Sequence, residues 1–238
     1  MNQPTRILLW DLDGTLVRGK RFGTFKDYTV PMLESVFGTA GCLPEMVVSG
    51  MTDLQIVEEA LRSEGITREH ISLRKEELRR CYLEEMKRSV SSGAHVIEPI
   101  PGGREVLQAV DGNPRYGSAL LTGNIEPAAH FKVEVAGLAK FFTLPGAFGD
   151  ESFDRRDLPA LAAERIRKSL GVHLEPEQFI VIGDTPNDIA CARHFGARAV
   201  AVGTGRLYSE EDLRACGPDA FLPDLVDVDL VMETLAKL

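Results

Sequence analysis

Short apolar runs alternate along the chain with longer stretches in which apolar residues recur every three or four positions. The apolar runs are residues 7–10, 118–121, 179–182 and 199–202. Each run stops at a Gly, Thr or Asp, which is typical of a buried strand that ends in a turn. Residues 103–110, 127–139 and 158–170 have the helical spacing. Because strands that alternate with helices form βαβ units, the pattern predicts an α/β fold with a mostly parallel sheet.

The stretch between the first and second predicted strands has a different pattern. From about residue 17 to residue 98 it is helix-like nearly throughout, is rich in Glu, Arg and Lys, and contains no convincing strand. Within it, Ile71, Leu78 and Tyr82 are spaced so that they could share one helix face. A Pro- and Gly-rich stretch, residues 99–103, follows. We therefore predict an all-α insertion over residues 18–98, with residues 1–17 and 99–238 forming the sheet-containing unit.

Composition and charge narrow the classes of partner. The chain has 238 residues, 44% of them hydrophobic and 26% charged, which suits one α/β domain with a smaller insert. Its formal net charge is −9 and it contains no run of Lys and Arg. Nucleic acids and anionic membranes bind basic surfaces, so neither is an expected partner. Nothing in the sequence predicts the oligomeric state.

The spacing of the cysteines and the first residues of the chain indicate in which cellular compartment the protein is expected. The four cysteines are far apart and form no Cys-x-x-Cys pair, so neither a metal knuckle nor a redox motif is expected. The first apolar run is short and stops at Asp11, which is unlike a signal peptide or a membrane span. The expected location is therefore cytoplasmic.

Polar residues cluster where three of the predicted strands end. The clusters are Asp11-Leu12-Asp13-Gly14-Thr15, Thr122-Gly123-Asn124 and Gly183-Asp184-Thr185-Pro186-Asn187-Asp188. In an open parallel sheet, ligands bind at the carboxyl ends of the strands, so the topology would bring the three clusters together. Asp11 and Asp13 would face the same side of a continuing strand, one as a nucleophile and the other as a general acid/base.

The remaining polar groups fit a phosphate and a hard cation. Asp184 could complete an oxygen-rich site for Mg²⁺, which prefers carboxylates, water and phosphate oxygens. Thr122 and neighbouring backbone N–H groups could hold phosphate oxygens. Taken singly, an Asp or a Thr-Gly pair at a strand end is more often a turn or helix-capping residue. The order of the clusters and their strand contexts together favour the functional interpretation.

These clusters resemble known motifs. The segment from Asp11 to Leu16 resembles the first motif of the haloacid dehalogenase-like superfamily, residues 120–124 its second motif, and residues 182–188 its fourth. The resemblance covers nearly the whole chain and is closest to the phosphoglycolate phosphatase-like branch, whose short cap-loop motif is similar to Gly50-Met51-Thr52-Asp53. It implies a Rossmann-like, mostly parallel sheet core that carries catalysis, with residues 18–98 as an all-α cap domain.

The resemblance also implies an activity. The expected enzyme is a Mg²⁺-dependent phosphatase, a phosphoric monoester hydrolase, that cleaves a small phosphate ester through an aspartyl-phosphate on Asp11. Asp13 would be the acid/base. Mg²⁺ would be held by Asp11, the main-chain carbonyl of Asp13 and Asp184, with Asp188 in support. The implied phosphate-binding residues of the second motif are Thr122, Gly123 and Asn124.

The third motif departs from the family pattern. A lysine is usual just before a helix, but residues 153–159 contain none. An arginine can do the same electrostatic work, so we expect Arg155 to bind phosphate, with Arg156 as the second choice and Lys132 as the third.

Two other functions share these residues. A sugar phosphomutase of the phosphoglucomutase-like type would use the same carboxylate pair, and a non-catalytic binding protein could keep the same fold. The substrate is not readable from the sequence. Candidates for contact with the leaving group are Arg18, Thr52 and Asp53, and residues 203–205 could border the site.

Overall fold

A computed structural model describes residues 4–20 and 25–238. Its strands are β1 (Arg6–Trp10), β2 (Val17–Lys20), β3 (Val96–Pro99), β4 (Tyr116–Leu120), β5 (Phe179–Gly183), β6 (Arg198–Val202) and β7 (Ala220–Leu222). Five of them form a parallel sheet in the order β4-β1-β5-β6-β7. The predicted α/β fold with a mostly parallel sheet is confirmed.

Helices separate the strands of this sheet. They are α1 (Lys26–Phe37), α2 (Asp53–Leu61), α3 (Arg68–Leu73), α4 (Lys75–Ser91), α5 (Gly103–Asp111), α6 (Glu126–Val135), α7 (Leu158–Leu170), α8 (Pro186–Phe195), α9 (Glu210–Ala215) and α10 (Val228–Lys237). The helix predicted over residues 127–139 ends earlier, because Gly137 has a φ of 67°, a left-handed conformation that terminates a helix. Within the part of the chain that the structure describes, no helix is long and apolar enough to cross a bilayer.

The parallel sheet is buried on both faces. In β1, Leu8 and Trp10 belong to one hydrophobic cluster, whereas Ile7 and Leu9 belong to another on the opposite face. All four of these side chains are fully buried. A strand covered on both faces has apolar residues throughout instead of alternating with polar ones, which explains the continuous apolar run in the sequence.

We predicted no strand in residues 17–98, and this prediction was wrong. β2 and β3 pair antiparallel at the two ends of this stretch, with Val17 opposite Pro99 and Lys20 opposite Val96. Each strand has four residues, and β2 reads Val-Arg-Gly-Lys, so no apolar run marks it. The pair brings the beginning and the end of the insertion together beside the sheet.

Between these two strands the chain is helical. Helices α1, α2 and α4 surround a third hydrophobic cluster, which includes Met32, Leu61 and Met86 and also Ile125 and Ala128 from the sheet-containing part. The insertion therefore packs directly against the start of α6. The division into a core of residues 1–17 and 99–238 and a cap of residues 18–98 stays a prediction.

Candidate active site

The end of β1 places two aspartates on the same turn. The backbone N–H of Asp11 donates to the Ile182 carbonyl at 2.9 Å, so Asp11 still lies within the sheet. Its side chain is buried, whereas the Asp13 side chain is half exposed. Gly14 follows with a φ of 88°, and a Cβ there would lie 2.3 Å from an oxygen of Asp184. Only glycine allows this turn to approach the Asp184 carboxylate so closely.

Arg155 pairs with two buried carboxylates. Asp154 begins the turn that contains it, with a side chain that accepts a hydrogen bond from the Arg156 N–H. Nη2 of Arg155 lies 2.6 Å from Oδ1 of Asp11 and also donates to Oδ1 of Asp188. Arg156 points elsewhere, because its exposed guanidinium pairs with Asp154. Of the three candidates for the third-motif cation, the structure brings Arg155 to the expected nucleophile.

Asp184 and Asp188 arrive from the end of β5 and the start of α8. Oδ2 of Asp188 accepts hydrogen bonds from the N–H of Thr185 at 3.0 Å and from its hydroxyl at 2.7 Å, which caps the helix. Oδ1 of Asp184 accepts from the Thr15 hydroxyl at 3.2 Å. One carboxylate oxygen each from Asp11, Asp184 and Asp188 lie within 4.8 Å of one another.

Residues 203–205, which follow β6, pack against Asp184. Thr204 donates its hydroxyl hydrogen to the Gly14 carbonyl at 2.6 Å. A Cβ on Gly205 would lie 2.0 Å from an Asp184 oxygen, so the backbone passes directly against the carboxylate. Residues 203–205 therefore border the site.

This cluster carries more negative than positive charge. Burial raises the pKa of Asp11, and the neighbouring Asp188 adds to that rise against the opposing effect of Arg155. Burial likewise raises the pKa of Asp184, and the charges of Asp11 and Asp188 raise it further. The three buried carboxylates supply hard oxygen donors. One guanidinium does not balance their charge, so a further cation would be favourable here. The donor set fits Mg²⁺. Asp188 is the least available of the three as a ligand, because Arg155 and Thr185 occupy its two oxygens.

The raised pKa values predict that the metal-free protein loses stability as pH rises. Burial raises the pKa of Asp53 from 3.8 to about 7, and the pKa values of Asp11 and Asp184 rise as well. Between pH 3.8 and about 7 the folded state therefore binds more protons than the unfolded chain, so the free energy of unfolding falls as pH increases. His95, whose pKa is lowered by burial, opposes part of this trend. Thermal melting of the metal-free protein at pH 5 and pH 7.5 measures the difference.

Asp53→Asn is the matched variant for that measurement. It removes one of the buried carboxyl groups whose pKa is raised, so its melting temperature should fall less between the two pH values. A wild-type melting temperature that is flat or rises over this interval would contradict the assignment of these buried carboxyls.

Asp13 faces a second buried cation. Oδ2 of Asp13 accepts from Nζ of Lys132 at 2.6 Å and from Nδ2 of Asn124 at 2.7 Å. Lys132 also donates to Oδ1 of Asn124 at 2.7 Å, so the three side chains form a closed ring. Although burial raises the pKa of Asp13, the ammonium of Lys132 and the two hydrogen bonds outweigh that effect and lower it. We predicted that the main-chain carbonyl of Asp13 binds the metal and that its carboxylate serves in acid/base chemistry. In the structure that carboxylate pairs with Lys132.

The second-motif residues lie beside this ring. The Thr122 hydroxyl oxygen accepts from Nδ2 of Asn124 at 2.8 Å, and Thr122 is buried. The assignment of Thr122, Gly123 and Asn124 to phosphate binding stays a prediction. The side-chain amide of Asn124 is already engaged by Thr122, Asp13 and Lys132.

Lys132 was predicted only as the third candidate for the phosphate-binding cation, and its pairing with Asp13 was not foreseen, although the sequence contains a signal for it. Ala128 and Ala129 on α6, and Ala136 just after its end, are buried and lie three or four positions away, so Lys132 is on the buried face of that helix. A lysine there, eight residues after Asn124, must pair with an acidic group because a buried ammonium without a partner is unstable.

A cavity of about 350 Å³ opens onto these groups. Its lining includes Asp11, Asp13, Thr122, Lys132 and Arg155 from the sheet-containing part. The insertion contributes Tyr28, Asp53, Tyr82 and His95 to the lining. Both tyrosine rings are buried and contact each other edge to face with centroids 5.5 Å apart. The cavity is thus walled by the sheet on one side and by the insertion on the other.

The start of α2 is bound to the second-motif loop. The N–H of Asp53 donates to the Gly123 carbonyl at 2.7 Å, and the N–H of Leu54 donates to the Gly149 carbonyl at 3.2 Å. In return, Oδ2 of Asp53 accepts from the N–H of Ile125 at 2.8 Å. Among the residues predicted to contact the leaving group, Asp53 lines the cavity and also binds the insertion to the second-motif loop. Thr52 caps α2, with its hydroxyl oxygen accepting from the Gln55 N–H at 3.1 Å, and Arg18 lies on β2.

Gly149→Ala should weaken this junction. A Cβ at residue 149 would lie 1.6 Å from the Gly123 carbonyl oxygen and 2.9 Å from the Asp53 nitrogen, and neither backbone atom can move without breaking their hydrogen bond. We expect a loss of about 1–3 kcal/mol in the free energy of unfolding, measured by denaturant titration. Gly112→Ala is the control, because the nearest atom to a Cβ there is 3.5 Å away. Equal stability of the two variants would contradict the close approach at Gly149.

Comparison with known proteins identifies the fold. Residues 156–228 match the model of the HAD-hydrolase-like family. No curated protein sequence matches the chain. A β-phosphoglucomutase from Clostridium difficile superposes with a TM-score of 0.66 at 15% identity, covering 99% of this chain and 98% of that one. A predicted phosphoglycolate phosphatase from Haemophilus somnus gives 0.63 at 21%, covering 98% and 99%. CbbY from Rhodobacter sphaeroides, in complex with phosphate, gives 0.62 at 16%, covering 94% and 96%.

Proposed function

The chain has the fold of the haloacid dehalogenase-like hydrolases, as its motifs predicted, and on that premise we propose that it is a Mg²⁺-dependent phosphatase acting on a small phosphomonoester. One observation carries the proposal. A buried carboxylate, Asp11, and a half-exposed carboxylate, Asp13, meet at one cavity, and each is paired with its own buried cation. A nucleophile and an acid/base need separate environments, because the two carboxyl groups must differ in protonation state when substrate and metal are bound.

In the first step, Asp11 attacks phosphorus. Arg155 binds Oδ1 of Asp11, which leaves Oδ2 to form the new bond to phosphorus. The anionic phosphoryl group of a bound ester would raise the pKa of Asp13, which Lys132 lowers in the free protein, so that Asp13 takes up a proton on substrate binding. As the bond between phosphorus and the ester oxygen breaks, Asp13 transfers that proton to the ester oxygen and the alcohol leaves. In the second step, Asp13 takes a proton from a water molecule, whose oxygen attacks the aspartyl-phosphate and releases Asp11 and inorganic phosphate. Most of the rate enhancement would come from positioning and charge stabilisation.

The phosphate and the cation use groups already described. Asp11, Asp184 and the main-chain carbonyl of Asp13 would hold Mg²⁺, with Asp188 in support. When bound, the ion would supply the positive charge that offsets the phosphoryl oxygens. Arg155, which pairs with Asp11, adds positive charge beside the nucleophile. The Thr122 oxygen already accepts from Asn124, so its hydroxyl hydrogen is free to be donated to a phosphate oxygen.

The insertion, residues 18–98, would act as a cap. Its side chains Tyr28, Tyr82 and His95 line the cavity together with Asp13, and Asp53 binds the insertion to the second-motif loop. A cap that closes over the substrate excludes bulk water while the aspartyl-phosphate forms. A cavity of about 350 Å³ is in the size range of small-molecule sites.

A sugar phosphomutase is the second candidate, because solved structures with this fold include a β-phosphoglucomutase. Such an enzyme uses an aspartate nucleophile and a second aspartate as here, but protects the phospho-enzyme from water. Dependence of turnover on added sugar bisphosphate distinguishes it from a hydrolase.

The test is release of inorganic phosphate from a panel of small phosphomonoesters, with Mg²⁺ and with EDTA. The proposal predicts release that requires Mg²⁺ and that needs no bisphosphate. Isomerised sugar phosphate without free phosphate would favour the mutase. A folded protein that turns over no ester and no sugar phosphate would favour a non-catalytic binding protein.

A further inference from the structure

Lys132 is the one cavity-lining cation among the described residues that contacts Asp13 instead of Asp11. Its side chain is 5% exposed, and Nζ reaches Oδ2 of Asp13 and Oδ1 of Asn124. Burying an ammonium group is unfavourable unless it is paired, so a lysine at this place needs a reason. Arg155 already pairs with Asp11 and Asp188, and Lys132 contacts neither of them.

We propose that Lys132 is a positioning residue for Asp13: it holds one carboxylate oxygen so that the other is presented to the oxygen of the leaving group. This inference rests on the proposed function, in which Asp13 protonates that oxygen. Lys132 acts through Asp13 and is not assigned a contact with the phosphoryl group.

The hydrogen bonds show which oxygen is fixed. Lys132 and Asn124 both donate to Oδ2 of Asp13. Among the contacts described for this carboxylate, Oδ1 has none, and Asp13 lines the cavity. Oδ2 is therefore saturated with donors, and Oδ1 is the oxygen that can carry a proton to a substrate. A free aspartate on a turn would instead rotate about its side-chain bonds, which lowers the fraction of time in the reactive orientation.

The side chains of Asn124 and Lys132 in this ring are themselves held in place by neighbouring groups. The Thr122 oxygen accepts from Nδ2 of Asn124, so the amide of Asn124 must turn Oδ1 towards Lys132. Lys132 is anchored on the buried face of α6, between Ala129 and Val133. Two separate elements, the second-motif loop and α6, thus hold the same oxygen of Asp13. A ring of hydrogen bonds without a free member restricts each partner more than a single contact does.

The experiment compares esters that do and do not need a general acid. Alkyl phosphates have poor leaving groups that must be protonated, whereas p-nitrophenyl phosphate releases a stable anion without protonation. Lys132→Met should lower kcat for the best alkyl phosphate by about 10²-fold or more, and for p-nitrophenyl phosphate by less than about tenfold. The KM values should change little. Lys168→Met, which removes an exposed lysine on α7, is the matched control.

A double variant tests whether Lys132 acts through Asp13. Asp13→Asn combined with Lys132→Met should be no slower on the alkyl ester than Asp13→Asn alone, because residues that work as a unit are not additive. If Lys132→Met does not fold, as judged by circular dichroism, Lys132→Gln makes the same comparison with a side chain that is neutral but polar.

Two results would overturn this inference and leave the phosphatase intact: an equal loss of kcat on both esters, or a further large loss in the double variant. Wild-type protein that hydrolyses neither ester would overturn the proposed function and this inference with it.

Discussion

Asp11→Asn is expected to lower kcat for phosphate release by at least about 10⁴-fold, since loss of a nucleophile removes the covalent route altogether. The amide of Asn has nearly the shape of the carboxylate and can still accept from Arg155. It cannot attack phosphorus, and the pocket keeps the rest of its groups. The measurement is phosphate release under saturating Mg²⁺ for the best ester of the panel.

The fold should survive this change. Burial disfavours the charged form of Asp11, as its raised pKa indicates, so a neutral amide removes an unfavourable charge at pH 7 and above. The metal-free variant should therefore melt at the same temperature as the wild type or higher. Asp111→Asn, at an exposed position at the end of α5, is the control for the substitution itself. Substantial activity in a folded Asp11→Asn variant would disprove the nucleophile assignment.

Arg155→Met is expected to have the second-largest effect. The guanidinium is 6% exposed and is the cation between Asp11 and Asp188. Without it, kcat should fall by about 10²–10³-fold, because the positive charge beside the nucleophile is lost. The free energy of unfolding should also fall by about 3–5 kcal/mol, since two buried carboxylates lose their partner. Kinetics and denaturant unfolding measure the two losses separately.

Two variants separate catalysis from stability at this position. Arg155→Lys keeps the charge, so it should recover much of the stability while kcat stays reduced, because an ammonium cannot reach both carboxylates in the geometry of a guanidinium. Arg156→Met removes the neighbouring exposed arginine, which pairs only with Asp154 among the described acidic residues. It should change neither quantity much. A slow Arg156→Met beside a fast Arg155→Met would move the third-motif role to Arg156.

The sequence predicted the sheet well because burial on both faces gives β1, β4, β5 and β6 a continuous run of apolar and small residues. Their observed bounds differ from the predicted runs by only one or two residues. The three strands that escaped prediction lack such a run. β2 is half polar, β3 contains Glu98 and Pro99, and β7 has three residues. These strands form because they pair with neighbouring strands, and a local sequence pattern does not show which strands will pair.

The site was predictable to the extent that backbone topology determines it. Asp11, Asp184 and Asp188 follow strands or begin helices at one edge of a parallel sheet, so their meeting could be anticipated from their order alone. The ring of Asp13, Asn124 and Lys132 could not, because it depends on how α6 is rotated against the second-motif loop. The same holds for Asp53, whose hydrogen bonds to that loop depend on where the insertion packs.

The central claim is that Asp11 becomes phosphorylated, and it can be tested before any substrate is known. Beryllofluoride with Mg²⁺ mimics an aspartyl-phosphate, so the measurement is the melting temperature of the wild type and of Asp11→Asn with Mg²⁺, with and without beryllofluoride. The account predicts a clear rise on adding beryllofluoride to the wild type and none in the variant. No rise in the wild type, or an equal rise in both proteins, would contradict it.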